Sequence, residues 1–511
     1  MAREGTFDPM PDWVSSLPAI LSALLVLAHI TVCVLALGVL PRNRKPSTGM
    51  AWLILILAVP YFGILAFLLF GSTTVGKRRR AEQAEVNSRI LEARPLADLE
   101  GDPAGKDHQG RLAGFVRLNR NLSALPMTRG NSVELLSDYA GCVEAMRLEV
   151  EGAREFVHVQ FYISAWDHVT SAFFESLVRA TERGVTVRFL FDHLGSRGIP
   201  GYKQFVERLR DTGIAWAPML PIHPLKGELR RPDLRNHRKI LVVDGRVAFS
   251  GSLNLIEPSY NKPKNQKLGR EWVELMARVE GPAVRELGVV FATDWFSETG
   301  EDIRQTLGPA ASGPSESAEA TSGPGAVRDV GCQVVPSGPG FVTENNLRLF
   351  NSLLYSARDR LSLTSPYFVP DESLLYAVTT AAQRGVDVEL FVSATADQFM
   401  VAHAQRSYYE ALLTAGVRIW LYPEPNVLHA KHFSVDDAVA VVGTSNMDMR
   451  SFALNYEVVM MLTGSAIVDR IRQVEDEYRS LSTELRLEDW QGRSWRSSYV
   501  DNLMRLTAAL Q

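Results

Sequence analysis

One pattern occurs twice in this chain, and it constrains the fold more than any other feature. The first copy is His237-x-Lys239-x4-Asp244, followed by Gly251, Ser252 and Asn254. The second is His429-x-Lys431-x4-Asp436, followed by Gly443, Thr444 and Asn446, with the same seven-residue interval from Asp to Gly. A single His-x-Lys-x4-Asp is a weak signal, but two in one register with the same trailing Gly-[Ser/Thr]-x-Asn exclude coincidence. Residues two apart on a strand point to one face, so each His–Lys pair faces one way. Ile240–Val243 continues the strand, Asp244-Gly245 is a hairpin signal, and Val247–Ser250 returns to deliver Ser252 and Asn254 beside the pair. Asp436-Asp437 marks the equivalent turn. Asp244 and Asp436 complete the motifs and stand with the candidate catalytic residues, although a turn Asp caps backbone donors and that structural role is favoured. The Gly, Ser and Thr positions have the alternative role of permitting close backbone approach.

The motifs lie within a larger duplication. Residues 131–307 and 331–511 share an order of elements. Each begins with a helical pattern (Val133–Glu151, Asn345–Arg360) and continues in a strand-like run (Phe156–Ile163, Leu361–Val369). A helix then ends in Arg183-Gly184-Val185-x-Val187 and Arg384-Gly385-Val386-x-Val388, each glycine reading as a helix cap before a β-branched strand (Val185–Asp192, Val386–Ser393). Helices alternating with buried strands predict an α/β sandwich in each half. Pairing the halves would bring two histidines, two lysines and two asparagines into one shared site, cationic and rich in donors, which suits a phosphodiester. Gly308–Gly325, rich in Gly, Ala, Ser and Pro, predicts a flexible linker over 308–330. Residues 76–130 are expected to form a juxtamembrane connector with some helix.

Residues 1–75 carry two apolar stretches and are expected to form a membrane anchor. Leu17–Leu40 has no Asp, Glu, Lys or Arg, and Met50–Phe70 has only Tyr61 as an ionisable group. Each is long enough for a transmembrane helix. The acidic start (Glu4, Asp8, Asp12) argues against a signal peptide. Pro60 and Gly63 interrupt the second stretch, predicting a kinked span or, alternatively, a re-entrant hairpin. Basic residues flank both sides (Arg42, Arg44, Lys45; Lys77–Arg80), giving a slight lean to a cytoplasmic carboxyl side. The Lys77–Arg80 cluster reads equally as a site for anionic headgroups or as an ordinary topology anchor.

Composition removes other classes. The net charge of −4 counts against nucleic acid as a partner, and three cysteines exclude a disulfide scaffold or a cysteine-based zinc site. No metal-ligand spacing is present, so neither metal nor other cofactor is expected; two histidines and two lysines supply the electrostatics.

The duplicated motif resembles the phospholipase D superfamily over nearly the whole chain beyond residue 130. The resemblance is carried further by Phe191-Asp-His-Leu-Gly-Ser-Arg197, Asn236-His-Arg-Lys239, Ser365-Pro-Tyr-Phe-Val-Pro-Asp371 and Gly443-Thr-Ser-Asn-Met-Asp-Met-Arg-Ser-Phe-Ala-Leu-Asn-Tyr-Glu457. With the amino-terminal apolar pair, these are similar to bacterial cardiolipin synthases of the phospholipase D type. That family joins two phosphatidylglycerol molecules into cardiolipin and releases glycerol. The resemblance implies a covalent phosphohistidine formed by His237, with His429 as acid and base, although on the residues alone the two roles are interchangeable. It implies that Lys239, Lys431, Asn254 and Asn446 bind phosphate oxygens, with Ser252 and Thr444 beside them as substrate-binding positions. It further implies an acidic residue orienting each histidine: Glu457 for the second motif and Glu271, in Gly269-Arg-Glu-Trp272, for the first. The partners implied are phosphatidylglycerol and other anionic lipids of a bacterial cell membrane. Gly251-Ser252, where synthases often have paired glycines, and the stretch after Asn254 depart from the family pattern. The competing readings are a phospholipase D hydrolase, a nuclease of the same superfamily, and a catalytically dead membrane scaffold. Acidic pI counts against the nuclease, and two complete motifs count against the scaffold.

Overall fold

The computed structural model describes residues 12–40, 46–71, 81, 84, 85, 88, 108–223, 228, 229, 231–307, 325–341 and 344–507. They divide into two compact units, Met1–Thr74 and Val75–Gln511.

The amino-terminal unit holds helices Asp12–Val39, Pro46–Ala58 and Pro60–Phe70. Among the described residues no helix is long and apolar enough to cross a membrane, so the two expected spans are not found there. The second stretch departs from a span because it breaks at Val59-Pro60, where proline has no N–H to continue the helical ladder. Its first 13-residue piece covers only about 20 Å, against about 30 Å of hydrocarbon. The break is a reversal rather than a kink. Trp52 and Phe67 would lie roughly 22 Å apart along a straight helix, but their rings meet edge-on at 5.4 Å. Gly63 is needed at the crossing: a Cβ there would come within 2.7 Å of the Ile56 Cα. The re-entrant alternative is thus closer to the observed hairpin. Arg42, Arg44, Lys45 and the Lys77–Arg80 cluster lie outside the described residues.

The larger unit is built on one sixteen-stranded sheet, fifteen strands in a single order and the short Arg235–Asn236 beside Asn455–Thr463. In its first half the strands run in the order Met127–Leu136, Met276–Glu280, Val247–Gly251, Ile240–Val243, Phe156–Phe161, Thr186–Asp192 and Ala215–Met219. The second half repeats that order with Val327–Ser337, Asn455–Thr463, Val439–Gly443, His432–Val435, Arg360–Thr364, Asp387–Ser393 and Arg418–Tyr422, and Thr483–Leu485 adds an edge. In each half the hairpin carrying the motif is antiparallel, and the last three strands of the repeat are parallel. The halves join where Met127–Leu136 pairs antiparallel with Val327–Ser337. The fold is therefore the expected duplicated α/β architecture, with one continuous sheet across the duplication.

Three boundaries differ from the sequence reading. Val133–Leu136 is strand, and the helix begins only at Tyr139, capped by Asp138, whose carboxylate accepts from the Gly141 N–H at 2.6 Å. Pairing of Ser132–Leu136 with Met276–Glu280 overrides the local helical pattern. The linker expected over 308–330 is too long by Val327–Val330, which is strand; its part 308–324 lies outside the described residues. The connector expected over 76–130 likewise yields its end to the body. Helix His108–Ser123 packs there, with the Asn119 amide donating to Gln333 Oε1 at 3.0 Å and Gln333 donating to the Val116 and Leu125 carbonyls.

Candidate active site

Each motif histidine is held by the opposite half. The strand Arg235–Asn236 leaves its own half and pairs in parallel with Asn455–Tyr456, and the His237 N–H donates to the Tyr456 carbonyl at 2.8 Å. Reciprocally, Val427–Leu428 pairs in parallel with Trp272–Val273, and the His429 N–H donates to the Val273 carbonyl at 2.7 Å. The next residue of each receiving strand is a glutamate. Glu457 lies 2.9 Å from His237 Nδ1, and Glu274 lies 2.8 Å from His429 Nδ1. With Nδ1 engaged, Nε2 is the nitrogen left to each ring for chemistry. Tyr162 stands edge-on to the His237 ring at 5.0 Å.

This crossing corrects two sequence expectations. Glu457 orients the first-motif histidine, not the second. Glu271 does not reach a histidine; it is exposed, and only its backbone meets the second half, accepting from the Val427 N–H at 2.9 Å. Glu274, three residues on, is buried and takes that place. The signal that would have found it is its position relative to the sheet. Met276, two residues after Glu274, pairs with Gly251, and Val459, two residues after Glu457, pairs with Gly443. Both glycines are required by that close approach, since a Cβ would lie 2.3 Å from the Leu275 carbonyl and 2.4 Å from the Val458 carbonyl.

The remaining motif residues divide into two groups. Lys239 and Lys431 are buried with the histidines, each Nζ donating to the carbonyl of its own motif histidine at 2.8 and 2.5 Å. Asn446 is buried with no hydrogen-bond partner for Oδ1. Ser252, Thr444 and Asn254 are otherwise occupied. The Ser252 and Thr444 hydroxyls accept from the Leu275 and Val458 N–H groups at 2.9 Å, and Thr444 also donates to Glu457 at 2.6 Å. They hold the carboxylates' strands rather than offering donors to a ligand. Asn254 donates to the Tyr260 hydroxyl at 2.7 Å and accepts from the Ile163 N–H at 3.2 Å.

Asp244 and Asp436 sit at the opposite end of each motif strand from the histidine. Asp244 accepts from the N–H groups of Arg154, Glu155 and Phe156 at 2.8–2.9 Å. Asp436 does the same for Arg358, Asp359 and Arg360 at 2.8–3.1 Å from Oδ1. Both have positive φ, +51° and +49°, as the tight turn demands. Each ties the turn to the start of a neighbouring strand and stands apart from the histidine–lysine cluster. Asp244→Ala should therefore destabilise the body by about 1–2 kcal/mol, the cost of unmaking local caps. Denaturant melting and turnover per folded molecule check this; turnover should fall less than about tenfold, far short of a lost catalytic group.

The electrostatics are asymmetric. Burial drives the His237 pKa well below the ordinary value, and the charges of Lys239, Lys431 and His429 drive it in the same direction. Its partner Glu457 is pushed up to about 7 by burial, against the pull of Lys239. Burial thus holds the His237 imidazole neutral. His429 is also lowered by burial, but Glu274 opposes the shift. Burial works to raise Glu274, yet the His429 charge and hydrogen bond outweigh it and hold the carboxyl below its usual range. In that dyad the carboxyl is held ionised and draws the His429 pKa back up, although burial still leaves the ring below its ordinary value. Burial lowers Lys239 well below its ordinary value and Lys431 to about 8, so the protein alone stabilises this cationic cluster poorly. An anion bound between the two lysines would stabilise it.

Comparison with known proteins follows the same lines. The family model described as "Cardiolipin synthase, PLD-like domain" matches residues 148–295 and 350–478, one match per half. A model described as "Phospholipase_D-nuclease N-terminal" matches residues 26–72. Cardiolipin synthase A of Serratia proteamaculans (strain 568) is 34% identical over 488 residues, covering 95% of this chain and 97% of the relative. Cardiolipin synthase A of Yersinia pseudotuberculosis serotype O:1b (strain IP 31758) is 35% identical, covering 96% of each chain. The crystal structure of phosphatidylserine synthase from Haemophilus influenzae Rd KW20 superposes with a TM-score of 0.57 at 14% identity, over 77% of this chain and 97% of that one, a likeness of fold.

Proposed function

The chain belongs to the cardiolipin synthases with a phospholipase D-like domain, and from that premise we propose that it joins two phosphatidylglycerol molecules into cardiolipin and releases glycerol. The observation that carries the proposal is the pair of crossed His–Glu dyads, whose carboxyls are shifted in opposite directions. A neutral imidazole is a nucleophile, and an imidazolium is an acid. His237, held neutral, is assigned the attack, and His429, beside an ionised Glu274, the proton transfers. His237 Nε2 bonds to phosphorus of the first phosphatidylglycerol while the bond from phosphorus to the glycerol oxygen breaks. His429 gives its proton to that oxygen, and glycerol leaves. A hydroxyl of the second phosphatidylglycerol then attacks the phosphohistidine, returns its proton to His429, and restores His237. Lys239, Lys431 and the Nδ2 amide of Asn446 are assigned as donors to the non-bridging oxygens, where charge develops in both steps.

Location follows from the same family. The relatives are cardiolipin synthases, enzymes of a lipid substrate, and the exposed side of the amino-terminal unit is apolar (Leu24, Leu27, Ile30, Val34, Tyr61, Phe62). This supports insertion of that unit into the bacterial cell membrane, by its first helix and the Pro46–Phe70 hairpin. A cytoplasmic catalytic body is the matching orientation.

The test is lipid analysis by mass spectrometry after incubating the purified protein with phosphatidylglycerol vesicles and excess chelator. Cardiolipin and glycerol should form in equal amounts, and added glycerol should drive the reaction backwards, because the phosphohistidine conserves the bond energy. Phosphatidic acid as main product would make the protein a hydrolase. Loss of activity with chelator would overturn the assignment of the phosphate charge to the lysines.

A further inference from the structure

The outer face of the carboxyl-terminal helix Trp495–Arg505 is apolar and uncovered. Trp495, Tyr499, Leu503 and Leu506 are 74%, 63%, 45% and 80% exposed. At 100° per residue they fall within an arc of about 80°, a single stripe. The inner face is satisfied separately. Asp501 is buried there, bonded to His403 at 2.6 Å and to Arg493 at 2.7 Å. His403 belongs to helix Phe399–Arg406, which packs against this one and adds Phe399 and Met400, 65% and 43% exposed. Single exposed apolar residues are ordinary, but six large ones on two helices packed together are more than chance scatter.

Its chemistry specifies the partner. Arg496, lying 5.8 Å from the Trp495 ring, flanks the stripe on one side, and Arg505, lying over Tyr408 at 4.5 Å, flanks it on the other. The only carboxylate on these two helices is Asp501, and it is turned inward. Tryptophan and tyrosine settle at the headgroup level of a bilayer, and arginines at a stripe's edges complement anionic headgroups. The surface is also braced to the catalytic loop. Gln405 Oε1 accepts from the Phe368 N–H at 2.8 Å, and Phe368–Val369 pairs in parallel with Met447–Asp448, which directly follows Asn446.

We propose that the Trp495–Leu506 stripe, with Phe399 and Met400, is a lipid-docking surface that seats the catalytic body on an anionic bilayer. The proposal rests on the reading of the substrate as an anionic phospholipid. It separates two tasks: the amino-terminal unit retains the protein, and this surface sets the height of the site above the lipid.

The experiment uses the full chain with Cys33→Ser, in which Cys142 and Cys332 remain buried. An environment-sensitive fluorophore is attached at Tyr499→Cys, or, as a control, at Leu148→Cys, which is 56% exposed on the first half's helix Tyr139–Glu151. Both proteins are reconstituted into phosphatidylglycerol vesicles. The probe at 499 should be quenched by a nitroxide-bearing lipid and shielded from iodide, and the probe at 148 should behave oppositely. Equal quenching of the two probes would overturn the proposal, as would cross-linking of position 499 to a second copy of the chain. In a second arm, Trp495→Ser/Leu506→Ser should lose about tenfold in turnover on vesicles, with turnover of monomeric short-chain phosphatidylglycerol unchanged. Equal loss on both substrates would also overturn it. Lipid quenching at 499 without any cardiolipin from the parent protein would uphold the surface and sink the catalytic reading, so the two failures are distinguishable.

Discussion

His237→Ala and His429→Ala should each lower cardiolipin formation by on the order of 10⁴-fold or more, and the double variant should be no slower than the slower single. The expectation follows from the crossed pairing. His237 is oriented by Glu457 of the second half, and His429 by Glu274 of the first, so neither half contains a complete dyad. Groups that act on the same bond in one step are lost as a unit. Release of labelled glycerol from phosphatidylglycerol measures it, and substantial activity in either single variant would mean two independent sites. A second substrate separates the roles. A phosphatidyl ester with a nitrophenol leaving group needs no protonation as it departs. His429→Ala should therefore regain its first half-reaction on that ester, with a burst of nitrophenol, while His237→Ala should stay inactive. The reverse pattern would exchange the nucleophile and the acid.

Glu457→Gln should cost roughly 10³-fold, because it alters which nitrogen of His237 carries the proton. An ionised Glu457 accepts from Nδ1–H and leaves a lone pair on Nε2. A protonated Glu457 donates to Nδ1 instead and places the hydrogen on Nε2, where it blocks attack. Glu457 titrates at about 7, so kcat/KM should rise as the pH increases through about 7. Lys431, lowered to about 8, loses its charge above that value, so kcat/KM should fall again as the pH passes about 8. The profile is then a narrow bell. The falling limb should be weaker in kcat, because a bound phosphodiester anion holds the lysine protonated. Glu457→Gln should remove the acid limb. Glu274→Gln should instead move the optimum to lower pH, because Lys431 loses the carboxylate that holds its pKa up and the falling limb moves down. A profile unchanged by Glu457→Gln would refute the tautomer argument.

Much of this site could be read from the sequence, because its parts are local. The His-x-Lys spacing, the Asp-Gly turn and the return to Gly-Ser-x-Asn span fewer than twenty residues, and period two alone fixes their faces. Duplication supplied the architecture, since the same order of strands had to bury the same apolar runs. What could not be read is contact at long range. The two-residue pairings of Arg235–Asn236 with Asn455–Tyr456 and of Trp272–Val273 with Val427–Leu428 leave no periodic trace. The missed glutamate shows the cost. Thr444 to Glu457 is thirteen positions, but Ser252 to Glu274 is twenty-two, because the first half carries an extra turn and the short helix Pro263–Leu268. Counting forward from the motif therefore fails, whereas counting back from the paired glycine succeeds. The same limit explains Val133–Leu136, whose local pattern is helical and whose partner strand lies some 140 residues away. At the amino terminus, length and hydropathy described a span, and one proline turned it into a hairpin.

The crossed dyads bear on how the protein is made. Synthesis proceeds from the amino terminus, and His237 emerges some 220 residues before Glu457. Until the last strands dock, its ring has neither its orienting carboxylate nor the backbone partner at Tyr456, and it does not yet feel the charge of His429. A nascent or truncated chain lying among the lipids it will later process is therefore chemically silent. Completion of the chain itself thus assembles the paired dyads, and a proteolytic nick that lets the halves part would take them apart.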